Sequence, residues 1–333
     1  MNRNAALLLL LVTAAPLVKA FVSSSSSSSF QSTRSSSLSS MTAAQTDTTT
    51  TPTLLPIKVV NAMPEWLPAD LHNHYYLLRH GQSTSNVQGI ISSDRALAYT
   101  TTHGLTDQGV AQAQAAAAPL WNMVQSRAQP GDRVVFVASP FARAHQTAQA
   151  CLDELVALQQ QQQPSDDESE KIDIHPTVVL HDALVERNFG RLDGQELFTY
   201  AYVWPLDKFN VTHTAFDVES VAAVCHRMRA CILDLEGQYH NNNNKDEDDN
   251  DNSSLANKDV GRRRRRRHHH IILTSHADVL QITQLYAAAA PNVGEFSSYR
   301  FFNGEARYMT VGSTADLPPP APLPRPVRGT FIP

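Results

Sequence analysis

LLRHGQSTSN, Leu77 to Asn86, runs an apolar strand directly into an arginine, a histidine and a glycine. A strand that ends on groups demanding charge or hydrogen bonds either stops at the surface or presents them in a cleft. Three other runs bear on the choice: VVFVA (134–138), TVVL (177–180) and IILT (271–274) are continuous rather than alternating. Strands covered on both faces read this way. With Tyr75–Leu78 as the first strand, the spacing predicts further strands over Val134–Ala138, Thr177–His181 and Ile271–Thr274. Helices are expected over Asp107–Val124 (Thr106 as N-cap), Phe141–Ala157, Glu219–Glu236 and Asp278–Ala287. Alternation of this kind predicts an α/β three-layer sandwich, a mainly parallel sheet with helices on both faces.

In such folds ligands sit beyond the carboxyl ends of the strands. There the sequence delivers Arg79, His80 and Gly81, then Ser139 and Arg143, then Glu186, then Ser275 and His276. Two guanidiniums and two imidazoles, with no carboxylate cluster suited to a metal, make an anion site, and the arginine fork matches phosphate. Neither a metal nor a cofactor is expected, because the arginines spread the charge of a transferring phosphoryl group. One histidine then serves as nucleophile, and a buried, protonated carboxyl serves the leaving alcohol and afterwards the incoming water. Gly81 lets the backbone approach the substrate, and Asn86 donates to phosphate or holds the histidine ring.

These residues fall in motifs. LLRHGQSTSN resembles the RHG signature of the histidine phosphatase superfamily, which includes cofactor-dependent phosphoglycerate mutases. The resemblance continues, in the family's order, through GLTDQGVAQA, VASPFARAHQTA, LVERNFGRLDG and IILTSHADVLQI, and more weakly in DVESVAAVCHRM, where Val218 stands for the family's glycine. One such motif is weak; five in order are specific. The resemblance implies a phosphoglycerate mutase-like fold, with His80 as the phosphorylated nucleophile and Glu186 as proton donor. It implies Arg79, Arg143 and His276 as the phosphate pocket, with Asn86, Gly81 and Ser139 beside them. It departs from the family at Ala277, whose Cβ narrows the pocket where glycine is common. Asp278 either steadies His276 or caps the following helix.

Hydrolysis of a small phosphorylated metabolite, by a histidine acid phosphatase-like enzyme, is the leading expectation. The segment RLDGQELFTYAYVWPLDKFNVTHTAFD offers only Arg191 and Lys208, so the paired basic clamp that the resemblance associates with mutases is missing. Mutase activity is the alternative, and a non-catalytic phosphate-binding protein is the alternative of another class. Phe198, Tyr200, Tyr202 and Trp204 read as a lid favouring a partly apolar or ring-bearing ester, or as core. His72 and His74 lie at the wrong end of the strand for chemistry, and the helix carrying His145 turns it away.

The chain has 333 residues, 42% of them hydrophobic, and a net charge of −5, which gives no overall basic field for nucleic acid. Cys151, Cys225 and Cys231 are odd in number and lack metal spacing, so they read as buried thiols. Residues 1–20 follow a signal-peptide pattern ending VKA, too short in its apolar run for a membrane span. Residues 21–56 are Ser/Thr-rich, and the tract to Thr46 has no acidic residue, a composition resembling the transit part of a bipartite plastid presequence; secretion is the alternative. The expected organisation is a phosphatase domain over 57–316 and a proline-rich tail over 317–333. Disordered insertions are expected at 158–170 and at 240–270, the latter carrying an Asn tract, an acidic block, six consecutive arginines and three consecutive histidines. The partner is a small phosphorylated substrate, with no membrane once the presequence is removed; the oligomeric state is not legible.

Overall fold

The computed structural model describes residues 59–162, 171–248 and 267–322. The readings of residues 1–20 and 21–56 as presequence lie outside them, as do the first five residues of the arginine run and the end of the proline-rich tail.

Strand β1 (His74–Arg79) pairs in parallel with β5 (His269–Ser275), which pairs in parallel with β2 (Arg133–Ala138). Two short strands, β3 (Asp173–Ile174) and β4 (Val179–Leu180), share the outer edge of β2, and β6 (Ala306–Tyr308) lies antiparallel on the other side of β1. The sheet order is β3-β2-β5-β1-β6, with β4 beside β2. The mainly parallel sheet with helices on both faces is therefore as the sequence predicts.

The continuous apolar runs have a direct cause. Side chains alternate across a strand, and here both faces are buried. Val135, Val137, Ile271 and Leu273 enter one core, with Val224, Met228 and Ile232 of helix α6 (Val221–Asp248) and Val279 and Leu280 of α7 (Ala277–Ala287). Val134, Phe136, Ala138 and Ile272 enter the other. There they meet Leu120 and Trp121 of α3 (Ala117–Gln125), and Cys151, Leu152 and Leu155 of α4 (Ala142–Gln162). Each buried aliphatic side chain contributes about 1.5–3 kcal/mol, and truncating the fully buried Phe136 to alanine would cost about 3–5 kcal/mol. All three cysteines are buried free thiols. Among the described residues no helix is long and apolar enough to cross a membrane.

Several boundaries differ from the sequence expectation. The helix expected over Asp107–Val124 is two, α2 (Asp107–Ala115) and α3, parted at Ala116. Pro119 has no N–H to give the Ala115 carbonyl and its ring crowds that group, so a new helix starts with proline in its first turn. The strand expected over Thr177–His181 reduces to β4, and β3 precedes it; Pro176 lies between them and cannot donate to the ladder. The insertion expected over 240–270 is narrower at both ends. The backbone of α6 continues through Asp248, each added residue gaining a hydrogen bond on an already packed helix. At the far end His269 and His270 belong to β5, opposite Arg133 and His74. Likewise α4 runs through Gln162, into the first expected insertion. At the chain's other end Leu317 packs on the core and the Ala321 N–H donates to the Ser298 carbonyl, so the proline-rich tail starts attached to the domain.

Candidate active site

Three parallel strands end side by side, and the loops that leave them converge on one cavity of about 200 Å³. β1 supplies Arg79 and then His80; β5 leads to His276, the N-cap residue of α7; α4, following β2, carries Arg143 in its first turn. Glu186 comes from the loop after β4. Arg79, His80, Asn86, Arg143, Glu186, Tyr200, Trp204 and Asp278 are among the lining residues.

Hydrogen bonding defines the state of each imidazole. His80 Nδ1 lies 2.7 Å from the Gly81 carbonyl oxygen, which can only accept. Nδ1 therefore carries the proton and Nε2 the lone pair. Arg143 Nε donates to His276 Nδ1 at 3.2 Å, so that nitrogen accepts, and Nε2 donates to Ser139 Oγ at 2.9 Å. The two rings lie edge to face, 5.2 Å between centroids. Both are held neutral, well below the usual histidine range, by burial first and then by the Arg143 guanidinium.

The arginines are anchored from behind. Arg143 Nη2 donates to the Ser92 carbonyl at 2.8 Å and Nη1 to Ser92 Oγ at 3.3 Å, while Ser92 Oγ also meets His103 Nδ1 at 2.8 Å. Arg79 Nη1 donates to the Phe301 carbonyl at 2.6 Å, but its buried Nε has no hydrogen-bond partner among the described residues. A buried unpaired N–H costs about 1–3 kcal/mol unless a ligand satisfies it. Burial lowers both guanidinium pKa values, that of Arg143 to about 10, which leaves Arg143 charged near neutrality.

Glu186 accepts from the Arg187 N–H at 2.9 Å, and its other oxygen is 3.8 Å from His276 Nδ1. Burial first, and then the charge of Asp278, raise its carboxyl to about 7. The opposing arginines are too weak a counterweight. Asp278 is itself raised to about 6, by burial.

Of the residues expected from sequence, Arg79, His80, Arg143, Glu186 and His276 come together, and Asn86 joins them. Helix α1 (Thr84–Gln88) begins with a reciprocal cap: Asn86 N–H donates to Ser83 Oγ and Ser83 N–H to Asn86 Oδ1. Asn303 donates to the same Oδ1, so the amide nitrogen of Asn86 is the group left for a ligand. Gly81 and Ser139 are corrected. A Cβ on Gly81 would lie 2.2 Å from the Gly109 carbonyl oxygen, so the glycine is required by contact with α2 rather than by substrate, and its N–H is taken by Thr147 Oγ1. Ser139 is fully buried and bonded to His276; it orients the ring and does not line the cavity. Asp278 makes no hydrogen bond to His276. Its Oδ2 accepts from Trp204 Nε1 at 3.2 Å and from Arg187 at 3.5 Å. The expected aromatic lid divides: Tyr200 and Trp204, stacked at 4.6 Å and 5° apart, line the cavity, whereas Phe198 and Tyr202 are exposed. His145 is exposed on α4, as expected.

Sequence reading missed Arg187, which is fully buried and pairs bidentately with Asp207 at 2.7 and 2.8 Å, while His213 meets the same carboxylate at 2.7 Å. This pair holds the backbone next to Glu186. The available signal was the position of Arg187 inside LVERNFG.

Several solved structures are similar to this chain. A mycobacterial hydrolase is 18% identical, with 70% of this chain and 89% of that one covered and a TM-score of 0.47. A mycobacterial glucosyl-3-phosphoglycerate phosphatase is 18% identical, covering 70% and 88% at 0.45, and an alpha-ribazole phosphatase from Shigella flexneri 17%, covering 72% and 97% at 0.40. No curated protein matches. The family model for the histidine phosphatase superfamily (branch 1) matches residues 75–244, half of the chain, and so takes in His80, Arg143 and Glu186. His276, beyond the matched stretch, meets them through the β1–β5 pairing, and the chain belongs to the histidine phosphatase superfamily.

Proposed function

We propose that the chain is a metal-independent phosphomonoester hydrolase acting through a phosphohistidine on a small phosphorylated metabolite. The observation that carries this reading is the bond from His80 Nδ1 to the Gly81 carbonyl, which leaves Nε2 unprotonated beside two guanidiniums. Nε2 attacks phosphorus, the ester P–O bond breaks, and protonated Glu186 gives its proton to the departing alkoxide. Water then attacks the phosphoryl group, Glu186 takes its proton, the P–N bond breaks and phosphate leaves. Arg79 and Arg143 neutralise the equatorial oxygens through both steps.

A carboxyl raised to about 7 suits a group that must act as acid in one step and base in the next. A phosphate-binding protein without turnover has no use for it. The two cations that the sequence offers to a mutase clamp are engaged elsewhere: Arg191 pairs with Asp217 at 2.9 Å and Lys208 with Glu295 at 3.1 Å. A plastid address, supported by the composition of the first 46 residues, is part of the same proposal.

The test is phosphate release by the purified protein with chelator present, combined with acid quenching to trap the phosphoenzyme. Release from an ester, with an acid-labile adduct lost in His80→Ala, is expected. Turnover only after priming with a bisphosphoglycerate would overturn hydrolysis in favour of mutase action. Binding with no turnover at all would overturn both.

A further inference from the structure

Beyond the phosphate end, the cavity wall is chemically specific. Asp278 Oδ2 is occupied by Trp204 and Arg187, and Oδ1 has no hydrogen-bond partner among the described residues although the side chain is only 5% exposed and lines the cavity. Gln281, one turn along α7, uses Oε1 to accept from the Phe301 N–H at 3.3 Å, and its amide nitrogen bonds to no described residue. The Ser297 hydroxyl, also buried at the lining, is likewise unengaged among the described residues. Opposite in character are Tyr200 and Trp204, whose stacked rings give the same wall a flat apolar part.

An acceptor, an amide donor and a hydroxyl of either sense ask for partners that both donate and accept. Vicinal hydroxyls do this, and the C–H faces between them suit an aromatic surface. Resting on the hydrolase reading above, we propose that the alcohol half of the substrate is polyhydroxylated, a sugar or polyol phosphate, and that Asp278 is the residue that selects it by accepting from a substrate hydroxyl. The position of Asp278 favours the role. It lies in the first turn of α7, where the helix dipole supports a negative charge, and Arg187 and Trp204 prevent its carboxylate from turning away. The same residue raises the Glu186 carboxyl. One side chain thus serves both the alcohol's recognition and the acid that protonates it.

The experiment compares kcat/KM for matched esters: glycerol 3-phosphate against propyl phosphate, and a hexose 6-phosphate against cyclohexylmethyl phosphate. The wild-type protein is expected to prefer the hydroxylated member of each pair by about 10- to 100-fold, the range for hydrogen bonds made or lost in a largely buried site. Asp278→Asn, which retains an oxygen for Trp204 and Arg187, and Asp278→Ala are both expected to shrink that ratio at least about fivefold, whatever they do to the absolute rates. A wild-type ratio near one, with turnover, overturns the substrate class and leaves the hydrolase reading intact. A large ratio indifferent to both substitutions overturns the assignment to Asp278. Absence of release from all four esters, with release from phosphoglycerates, overturns the sugar-selective role. Absence of release from every ester defeats the underlying reading and this one with it.

Discussion

The same strands carry histidines at both ends, and the two sets have opposite characters. At the carboxyl ends, His80 lines a cavity with Arg79, Arg143 and Glu186, and the fully buried His276 is bonded to Arg143 and Ser139. At the amino ends, His74 stacks on His270 at 5.0 Å and His72 on His268 at 4.7 Å, where Tyr308 meets His74 Nδ1 at 3.2 Å and Tyr76 meets His270 Nδ1 at 2.9 Å. Burial disfavours the charged ring at His80 and His276 and also at His74, which it lowers to about 4 with help from His270 and His268. Neutrality alone therefore does not make a catalytic histidine. What separates the two sets is the cavity that His80 lines and the guanidiniums of Arg79 and Arg143 that border it.

The comparison breaks most visibly through the nucleophile. His80→Ala is expected to lose about 10⁴-fold or more in kcat, as removal of a covalent nucleophile does, while His74→Phe stays within about twofold. Steady-state phosphate release decides it, and equal losses would mean that the amino-end stack matters to the chemistry.

Next in size is the buried ion pair on the site's side. Arg187→Met leaves Asp207 buried with only His213 and is expected to destabilise by about 3–5 kcal/mol in urea unfolding. A change below about 1 kcal/mol would show that the carboxylate finds water.

The pH profile sharpens the comparison further. Glu186 must hold its proton to serve the leaving group, so kcat/KM should fall above about pH 7, approaching tenfold per unit. His80 needs to be neutral and titrates well below 6.5, so its limb lies far on the acid side. Because the Asp278 charge raises the Glu186 carboxyl, Asp278→Asn should move the descending limb to lower pH. A limb that stays in place would remove Asp278 from the proton chemistry.

The smallest effect belongs to the far end. His74 titrates at about 4 when folded and near 6.5 when unfolded, so its contribution to stability is complete above about pH 6.5 and is lost as pH falls towards 4. His74→Phe should flatten this part of the stability profile without altering the part above pH 7. Thermal melts of the two proteins across pH 4–8 measure the difference.

How far the site was legible follows from where each group sits in the chain. Arg79, His80, Arg143 and His276 stand at or just after strands whose apolar runs are unmistakable, so the sheet's geometry could be read through to its edge. Arg187 could not be assigned a role, because its partner Asp207 lies 20 residues on, in a region of short turns whose packing has no period to read. Gly81 shows the converse failure. A glycine beside a nucleophile suggests close approach to substrate, and only the fold reveals that the approaching backbone is that of Gly109. His269 and His270 were hidden by composition: beside six arginines they look like a tract, yet strand pairing to Arg133 and His74 absorbs them.

Pro176 has a consequence of a different kind. By splitting one flank of the sheet into two-residue strands, it leaves no long row of free N–H and C=O groups on that side, and β6 offers only three residues on the other. Chains stack edge to edge into insoluble assemblies most readily along extended, unbroken strands. On that flank a single imino acid thus guards a concentrated solution of this protein against that route to precipitation, independently of anything that happens in its catalytic cleft.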